Sequence, residues 1–426
     1  EGAEKVLPAT WKKFGANSSN QEHYFNPNLP AAPASGAIRV SSNDPVATTR
    51  RLVLDAVRRQ MVSDVPIGCF LSGGIDSSII AFAMQRASKD PIHTFSIGFD
   101  EAEYDESPYA AAVAKHLGSV HHTFHVRPEA AADLPKLAAV YAEPFGDSSA
   151  LPTHYLSRET RQHVKVALSG DGGDELFAGY DRYRAMRISE RFANFPQRFA
   201  LPVAHMLNGG APKSRRLKLQ RFLKGLRLPA PQRYASYMRL FDGELLEELW
   251  PSHPALGIDL TMEFEKVSFN RDAVQTSLSL DRLTYLPDDL LTKLDRASML
   301  HALEVRSPFM DPALVQFAAG LSTLQLLGNG SKTLLRKAFA GDLRDEVFKR
   351  KKMGFAVPIG AWFRTSLREM LHDMVFSARS FAGEHLNMAV VRRINDEHQS
   401  QRIDHSQRLY ALLMLELWNQ KRKQHR

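Results

Sequence analysis

The residues with the clearest chemical character form the heptapeptide Ser72–Ser78, which reads Ser-Gly-Gly-Ile-Asp-Ser-Ser. Its glycines let the backbone approach an anion and expose N–H donors, and its serines add hydroxyl donors. Asp76 would repel a phosphate unless Mg²⁺ lay between them, because carboxylate and phosphate oxygens can share that cation. The segment is neither a Walker A loop nor a G-x-G-x-x-G dinucleotide turn. It therefore predicts a site for a metal-bound polyphosphate.

A second polar segment, Ser169–Glu175, reads Ser-Gly-Asp-Gly-Gly-Asp-Glu and follows a short apolar run. It adds Asp171 and Asp174 to Asp76, and three carboxylates brought together need a cation to stay ionised. A single Mg²⁺ between Asp76 and Asp174 could bridge them to pyrophosphate. Asp171 has two open roles, because it could accept a proton from an incoming ammonium or amine, or could stabilise the metal or the loop.

These segments resemble known signatures. Ser72–Ser78 is similar to the pyrophosphate loop (PP-loop) of the ATP pyrophosphatases, which cleave ATP between the α and β phosphates and adenylate a substrate. Four further segments resemble signatures of the asparagine synthetases: Ser169–Tyr180, Tyr285–Met299, Leu303–Asp311 and Arg350–Phe355. The five motifs occur in family order. The chain after its first 43 residues therefore resembles the synthetase domain of the glutamine-hydrolysing asparagine synthetases.

The resemblance implies a nucleotide site on several strand ends and the loops that follow them. It assigns ATP binding to Leu71, Ser72, Gly73, Gly74, Asp76, Ser77, Ser78, Ile97, Ser169 and Gly170, and Mg²⁺ binding to Asp76 and Asp174. Leu71, Ile97 and Gly170 would line the adenine pocket. Leu71 and Ile97 are equally consistent with plain core residues of their strands, and both interpretations can hold together.

The resemblance also assigns catalytic roles to Lys352, Asp171 and Arg306. Lys352 matches the family's catalytic lysine, which stabilises charge as pyrophosphate leaves and as the tetrahedral intermediate forms. It lies in the basic run Lys349–Lys352, which is also typical of a solvated surface, and Lys351 is the alternative. The family often has Glu at the position of Asp171, so the reach of this shorter side chain is open. Arg306 could pair with a substrate carboxylate or form a structural ion pair.

The implied reaction is ATP-dependent amide formation. The side-chain carboxylate of aspartate attacks the α-phosphate of ATP·Mg²⁺, pyrophosphate leaves, and ammonia converts β-aspartyl-AMP to asparagine and AMP. The resemblance thus implies a carbon–nitrogen ligase with glutamine as amido-nitrogen donor. ATP and Mg²⁺ would be its substrate and cofactor, and aspartate and ammonia or glutamine its small-molecule partners.

The elements that must position these residues alternate along the first part of the chain. Short apolar runs predict four strands and periodic patterns predict the helices between them. The strands are Pro66–Leu71, Ile92–Phe99, His121–Val126 and Val164–Leu168, and the helices are Ser77–Ala87, Ser107–Leu117, Ala130–Ala142 and His154–His163. Asp44-Pro45 signals the start of an earlier helix. This alternation predicts an α/β fold, a parallel doubly wound sheet with ligands at the strands' carboxyl ends.

The predicted domain division has a remnant, a linker and one synthetase unit. The boundaries are 1–25 for the remnant of an N-terminal glutaminase-like domain, 26–43 for the linker and 44–426 for the asparagine synthetase domain, with an ATP-binding α/β part over about 44–182 and a mostly helical part over about 183–426. The linker is rich in Pro, Ala, Ser and Asn. Val6-Leu7 and Tyr24-Phe25 resemble remnants of strands.

Composition limits the remaining classes. The 426 residues are 44% hydrophobic and 24% charged, which excludes collagen-like and wholly disordered proteins. Apolar runs fall short of the roughly 20 residues of a membrane span. The formal charge of +8 indicates anionic partners, which the motifs identify as ATP, pyrophosphate and an acidic substrate rather than nucleic acid. A homodimer stays open.

Cysteine usage bears on the compartment and on the nitrogen source. Cys69, the single cysteine, fits a reducing, cytoplasmic location and argues against the sulfur-transferring PP-loop enzymes. The family's glutaminase nucleophile is a mature N-terminal cysteine, and this chain begins with Glu1. We therefore expect the glutaminase domain to be missing from this chain.

Two alternatives stay open. Another amidotransferase or a β-lactam-synthetase-like ligase, acting on a sugar acid or a peptide, would keep the ATP motifs and change the acceptor pocket. A non-catalytic nucleotide- or RNA-binding protein would bind ATP without forming AMP, and its function would survive Asp76→Ala.

Overall fold

The structure of the chain is a computed structural model. The residues that it describes are 5–15, 19–28, 44–126, 129–192, 215–251, 259–268, 271–328, 330–350 and 357–424. Within these ranges, each helix is too short or too polar to cross a membrane.

Strands and helices alternate in the first part of the chain. In order they are β1 (Thr10–Phe14), β2 (Ser19–His23), α1 (Pro45–Gln60), β3 (Ile67–Phe70), α2 (Ile75–Ala87), β4 (His93–Gly98), α3 (Ser107–Leu117), β5 (Val120–His125), α4 (Ala130–Tyr141), α5 (Ala150–Thr160), β6 (Val166–Leu168), α6 (Gly173–Phe177) and α7 (Asp181–Arg191). The predicted cap of α1 is confirmed, because the Asp44 side chain accepts the backbone N–H groups of Val46 and Ala47.

Helices make up most of the described residues that follow. Their bounds are Arg215–Gly225, Ala230–Met238, Gly243–Leu249, Leu260–Val267, Ala273–Leu283, Thr292–Met299, Pro312–Ala319, Thr323–Leu327, Thr333–Phe339, Asp345–Lys349, Ile359–Trp362, Arg368–Val375, Phe381–His385, Met388–Gln399 and Ser406–Gln424. A π-helical turn, Leu286–Leu291, leads directly into the helix Thr292–Met299. The prediction of a mostly helical second half is confirmed.

The five-stranded sheet has the order β5-β4-β3-β6-β7, in which β7 is Glu304–Arg306, and every pair of neighbouring strands is parallel. Each of the four predicted strands is present, with bounds within two residues of the prediction. Parallel strands need crossover connections, and the helices between them supply these. The predicted parallel α/β fold is therefore confirmed.

Both faces of the sheet are covered, as expected of a doubly wound fold. Consecutive residues of β3 point to opposite sides, so that Cys69 packs into one hydrophobic cluster and Phe70 into the other. The first cluster includes Leu52 of α1 and Ile79 of α2, and the second includes Leu134 of α4. Helices of the second half complete both layers, so the two halves share one core.

The fifth strand, β7 (Glu304–Arg306), was not predicted. It lies in the half expected to be helical and pairs with β6, with Leu168 opposite Arg306. Three residues, two of them charged, carry too little apolar pattern for a strand to be recognised locally. The strand forms because a parallel neighbour from far along the chain offers its unpaired backbone groups.

An N-terminal hairpin forms a separate two-stranded sheet. β1 and β2 pair antiparallel, so the strands lie between Val6-Leu7 and Tyr24-Phe25 rather than at those predicted positions. The segment after the hairpin is anchored to the main body by Asn28, whose amide donates to Ser279 O at 3.1 Å.

Candidate active site

The two polar loops meet at the carboxyl edge of the sheet. Ser72–Ser78 follows β3 and Ser169–Glu175 follows β6, and these strands are neighbours. The loops approach so closely that a Cβ on Gly170 would lie 2.7 Å from the backbone nitrogen of Ser77. Glycine at this position is therefore required to seat the second loop against the first.

The first loop is organised by its own serines. The Ser72 and Ser77 hydroxyls lie 3.0 Å apart, and the N–H of Gly74 donates to Ser72 Oγ at 3.3 Å. Helix α2 begins directly after Gly74 and offers its first N–H groups and its positive dipole end to an anion. The structure thus brings Ser72, Gly73, Gly74 and Ser77 together, whereas Ser78 is fully buried within α2.

Lys332 forms the charge centre of the site. Its Nζ lies 2.6 Å from Asp174 Oδ1 and also pairs with Asp76, so one ammonium joins the two loops. Burial alone would lower the pKa of Lys332, but the charges of Asp174 and Asp76 outweigh it and raise the pKa above its usual value. The lysine is therefore charged at neutral pH, and the two predicted metal-binding carboxylates converge on a cation.

Lys332 is a functional residue that the sequence did not reveal. It is separated from Asp76 by 256 positions, and a lone lysine carries no spacing pattern. One local signal was available, because Lys332 directly precedes the helix Thr333–Phe339. A cation is unfavourable at the positive end of a helix, so a lysine there suggests an acidic partner elsewhere.

The donor set at this centre fits a magnesium ion that arrives with phosphates. Asp76 and Asp174 present carboxylate oxygens to one point, where the Lys332 ammonium now supplies the positive charge. Across the described ranges, no group of three or more His, Cys, Asp or Glu side chains is arranged to hold a metal. Mg²⁺ is commonly bound by one or two carboxylates plus substrate phosphates and waters. The two aspartates therefore suit Mg²⁺ shared with a polyphosphate.

The wall behind Asp174 is tightly packed. A Cβ on Gly179 would lie 1.7 Å from Asp174 Oδ1, so only glycine allows this carboxylate to reach Lys332. Glu175, the next residue, is fully buried and accepts a hydrogen bond from the Tyr180 hydroxyl. Burial and the charge of Asp174 raise the pKa of Glu175 to about 8. Glu175 is therefore mostly neutral at pH 7 and adds little negative charge to the site.

The predicted adenine-pocket residues lie at adjacent strand ends. Leu71 N–H donates to Phe95 O at 2.8 Å, which extends the pairing of β3 with β4. The Leu71 and Ile97 side chains are buried in opposite hydrophobic clusters, so both are core residues. Ser169 is fixed by its neighbour on β7, because Ser169 N–H donates to Arg306 O at 2.9 Å.

Arg306 is held by structural contacts. Its Nη1 donates to the carbonyl oxygens of Gln60 and Val62, both at 2.8 Å, and its Nε donates to Glu304 at 2.6 Å. The guanidinium therefore fastens β7 to the end of α1 and borders a cavity of about 570 Å³ there. These contacts correspond to the structural alternative considered for this residue.

The basic motif of the second half reaches the first loop through Arg350. Its Nη1 donates to Ser72 O at 2.9 Å, it pairs with Glu106, and its guanidinium stacks 4.0 Å from the centre of the Tyr109 ring. The predicted catalytic Lys352 lies outside the described residues, as does Lys351.

Asp171 lies on the second loop between the two glycines that flank it, and it is partly exposed. Its charge acts on Lys293, a buried lysine of the helix Thr292–Met299, and helps to raise the pKa of that ammonium. Asp171 therefore faces a second polar cluster rather than Lys332 alone.

Comparisons with known proteins agree with this geometry. Residues 48–420 match the family model described as asparagine synthase. The chain is 30% identical over 381 residues to asparagine synthetase [glutamine-hydrolyzing] 1 of Bacillus subtilis, covering 88% of this chain and 59% of that protein. It is 32% identical over 401 residues to a putative asparagine synthetase [glutamine-hydrolyzing] of Mycobacterium bovis, covering 93% and 60%.

A more distant match is the amidase chry2 of Gibberella zeae, which is 25% identical over 419 residues and covers 89% of this chain and 62% of that protein. The chain thus spans about 60% of the length of the first two relatives. The family match covers both polar loops, Lys332 and the whole parallel sheet. The chain belongs to the asparagine synthase family.

Proposed function

We propose that the chain catalyses ATP-dependent amide formation on aspartate. Aspartate, ATP and ammonia give asparagine, AMP and pyrophosphate through β-aspartyl-AMP. The observation that carries the proposal is the convergence of Asp76 and Asp174 on one buried cation at the carboxyl edge of the sheet, beside the helix start of α2. This arrangement suits a polyphosphate, and the family suits an acidic acceptor.

In the first half-reaction the chain's task is to hold the phosphates and balance their charge. The loop Ser72–Ser78 and the start of α2 would donate backbone N–H groups to them. Asp76 and Asp174 would hold Mg²⁺, which when bound neutralises phosphate charge and improves pyrophosphate as a leaving group. As the acceptor carboxylate bonds to the α-phosphorus, the bond from that phosphorus to the bridging oxygen breaks. The Lys332 ammonium would then stabilise the negative charge that develops on pyrophosphate. We propose that Lys352 supplies a second cation at this step.

In the second half-reaction ammonia adds to the acyl carbon of β-aspartyl-AMP. The new C–N bond leaves the nitrogen with one proton too many, and we assign its acceptance to Asp171, a partly exposed carboxylate of the second loop. AMP departs with the electron pair of the C–O bond, and the amide remains. Asp171 therefore acts as base in this proposal, and Arg306 keeps β7 in register beside Ser169.

We propose the domain division of the sequence for the whole chain. The hairpin of β1 and β2 is a sheet of its own, outside the five-stranded sheet, and the family match begins at residue 48. This supports a unit over 1–25, a linker over 26–43 and a synthetase domain over 44–426. The relatives named glutamine-hydrolyzing support glutamine as nitrogen donor in a longer form that carries a glutaminase domain.

The decisive experiment measures pyrophosphate and AMP with ATP, Mg²⁺ and a panel of acids. Aspartate with ammonium chloride is expected to give both products in equal amounts, together with asparagine. Asp76→Ala should abolish all three. Release with a sugar acid or a peptide but not with aspartate would instead favour another ligase on this scaffold, in line with the more distant amidase relative.

A further inference from the structure

A second buried charge cluster lies beside the candidate active site. Lys293 is buried and its Nζ contacts Asp147 Oδ2 at 3.2 Å and Ser149 Oγ at 2.9 Å. Ser149 in turn donates to Asp147 through both its N–H and its hydroxyl, at 2.9 and 2.6 Å. Lys293 is also fixed from behind, because its carbonyl accepts the Tyr141 hydroxyl at 3.0 Å. The Lys293 ammonium is therefore held in place by Asp147 and Ser149.

Asp289 adds a carboxylate whose hydrogen bonding is incomplete. It lies on the π-helical turn Leu286–Leu291 and is within hydrogen-bonding reach of Asp147. Its Oδ1 is buried and has no hydrogen-bond partner among the described residues. Burial, followed by the charge of Asp147, raises the pKa of Asp289 to about 7. A buried carboxylate oxygen without a donor is costly, so this position is suited to a ligand that brings one.

The cluster lies near the second polar loop. The charge of Asp171 acts on Lys293, so this loop carboxylate lies close to the cluster. Tyr285, which precedes the π-helical turn, contacts the Tyr180 ring edge-to-face with 6.0 Å between ring centres, and Tyr180 follows the second loop. Asp171, Asp289 and the Lys293–Asp147 pair therefore form one charged group next to the second loop.

The charges of this group indicate which class of ligand could bind to it. The carboxylates of Asp147, Asp171 and Asp289 all act on Lys293, and the Arg182 guanidinium also acts on Asp289, so the carboxylates still outnumber the cations. An additional anion would be repelled, whereas a cation would bring the group toward neutrality. The unpartnered Asp289 Oδ1 accepts hydrogen bonds and so needs a donor. A primary ammonium satisfies both conditions, because it carries one positive charge and three N–H donors.

We propose that Asp289, oriented by the Lys293–Asp147 pair, binds the ammonium group of a substrate. This inference rests on the proposed function and deepens it. The ammonium is that of the acceptor amino acid or the free ammonium ion that delivers the nitrogen, and both share one recognition chemistry. Binding of the acceptor's own ammonium would select aspartate over acids of the same length that lack an amine, such as succinate.

The test compares Asp289→Asn with the wild-type chain in two assays. Exchange of labelled pyrophosphate into ATP depends on the acceptor and needs no ammonia, whereas complete turnover reports the KM for ammonia. A lost charge-assisted hydrogen bond should raise the half-saturating aspartate concentration about ten- to hundredfold. The value for succinate should stay unchanged. A raised KM for ammonia with unchanged aspartate dependence would instead identify free ammonium as the source, and would equally support an ammonium site.

Asp288→Asn is the matched control, because Asp288 lies on the same turn but is exposed. It should behave as wild type in both assays. Asn keeps the shape of a protonated Asp289, and thermal unfolding with the succinate exchange shows whether the nucleotide site is intact. If the Asn variant does not fold, Asp289→Glu, which keeps the carboxylate but moves its oxygens, must show the same selective loss for aspartate.

Unchanged aspartate and ammonia dependence in a folded Asp289→Asn would overturn the inference while leaving the proposed function in place. Failure of the proposed function looks different, because the wild-type chain would then give no exchange with aspartate. The acid of the panel that does support exchange would in that case decide the inference. An acid without an ammonium group overturns it, and one with an ammonium group must show the same dependence on Asp289.

Discussion

Lys332 holds two loops that would otherwise repel each other. Its φ of 56° lies in the left-handed region, which costs a non-glycine residue about 1 kcal/mol. The structure keeps this backbone because the ammonium lies between two carboxylates, 2.6 Å from Asp174 Oδ1. A buried charge that loses its partner is far more costly than this strain. The electrostatic interaction therefore outweighs the backbone preference.

Lys332→Met should remove both stability and activity. We expect the free energy of unfolding to fall by about 3 kcal/mol, because two buried carboxylates lose their cation. Pyrophosphate release should fall about a hundredfold or more, since a cation near the leaving group acts in the transition state. Addition of Mg²⁺ should restore part of the stability, because the ion can bind the freed aspartates. Urea unfolding with and without Mg²⁺ measures this.

Lys337→Met is the control for this variant. Lys337 is exposed on the helix that follows Lys332, so its loss should leave both unfolding and pyrophosphate release unchanged. A Lys332→Met protein with wild-type stability and rate would show that the ion pairs with Asp76 and Asp174 contribute nothing.

Arg306 offers a separate test at the scale of one side chain. Arg306→Lys keeps the positive charge but cannot reach Gln60 O, Val62 O and Glu304 at once, because lysine lacks the guanidinium fork. We expect the free energy of unfolding to fall by about 1–2 kcal/mol. The kcat/KM for aspartate should change less than threefold. A large loss of kcat/KM with an unchanged free energy of unfolding would instead assign Arg306 to substrate binding.

At the scale of elements, the sequence predicted what local pattern encodes. The strands β3 to β6 are short apolar runs, and the two polar loops fall at strand ends where a parallel sheet must place them. β7 was missed because three residues carry no recognisable period, and its stability comes from pairing with β6. Tertiary pairing of this kind decides short strands more than local preference does.

The charged partners of the site were missed for a related reason. Lys332 and Lys293 lie on different helical segments of the second half, and each meets its carboxylate across the fold. Single lysines have no spacing that marks them, whereas Asp76 and Asp174 are marked by the glycines around them. The sequence therefore predicted the loops of the site but not the cations that complete it.

The packing of α5 against the end of the helix Thr292–Met299 predicts sensitivity to acid. His154 Nδ1 lies 3.0 Å from His301 Nε2, and burial followed by the charge of His301 lowers the pKa of His154 to about 4. The unfolded chain, with a pKa near 6.5, then binds more protons than the folded one between these values. Stability should therefore fall as pH decreases from 6.5 to 4.

His154→Phe removes this proton-binding difference while keeping an aromatic ring in the core. Its melting temperature should depend less on pH between 6.5 and 4 than that of the wild type. Melting scans at several pH values measure the difference, and His372→Phe, at an exposed position, should keep the wild-type slope. An unchanged slope in His154→Phe would assign the acid sensitivity to other groups.

At the scale of the whole molecule, charge is distributed unevenly. The chain carries a formal charge of +8, yet Asp76 and Asp174 pair with Lys332 at the candidate site, and Asp171 lies on the same loop as Asp174. The excess of positively charged side chains must therefore lie mostly outside the candidate site. There it attracts anions in general but does not bind a particular anion at a defined position. Binding of a polyphosphate at the loops then depends on charge neutralisation by Mg²⁺ and on backbone N–H groups, so it should weaken when Mg²⁺ is removed.

The N-terminal segment is joined to the main body at Asn28, and this joint can be tested. Asn28 is buried, donates to Ser279 O and accepts from the Arg282 guanidinium at 3.0 Å. Burial lowers the pKa of Arg282 to about 10, which leaves its guanidinium charged at neutral pH. Asn28→Ala should lower the free energy of unfolding by about 1–3 kcal/mol. It should also increase cleavage before residue 44 in limited proteolysis.

Asn28→Asp tests whether the contact of residue 28 with the Arg282 guanidinium is the one that stabilises the joint. The aspartate would keep an acceptor for Arg282 and add an opposite charge, but it would lose the donation to Ser279 O, so stability should fall less than in Asn28→Ala. Asn20→Ala, on the exposed strand β2, should change neither unfolding nor cleavage. If Asn28→Ala unfolds like the wild type, the hairpin contributes nothing to the main body. If it unfolds earlier and Asn28→Asp does so to a smaller extent, the buried Arg282 couples the hairpin to the synthetase fold, and the segment before the linker is part of one cooperative unit.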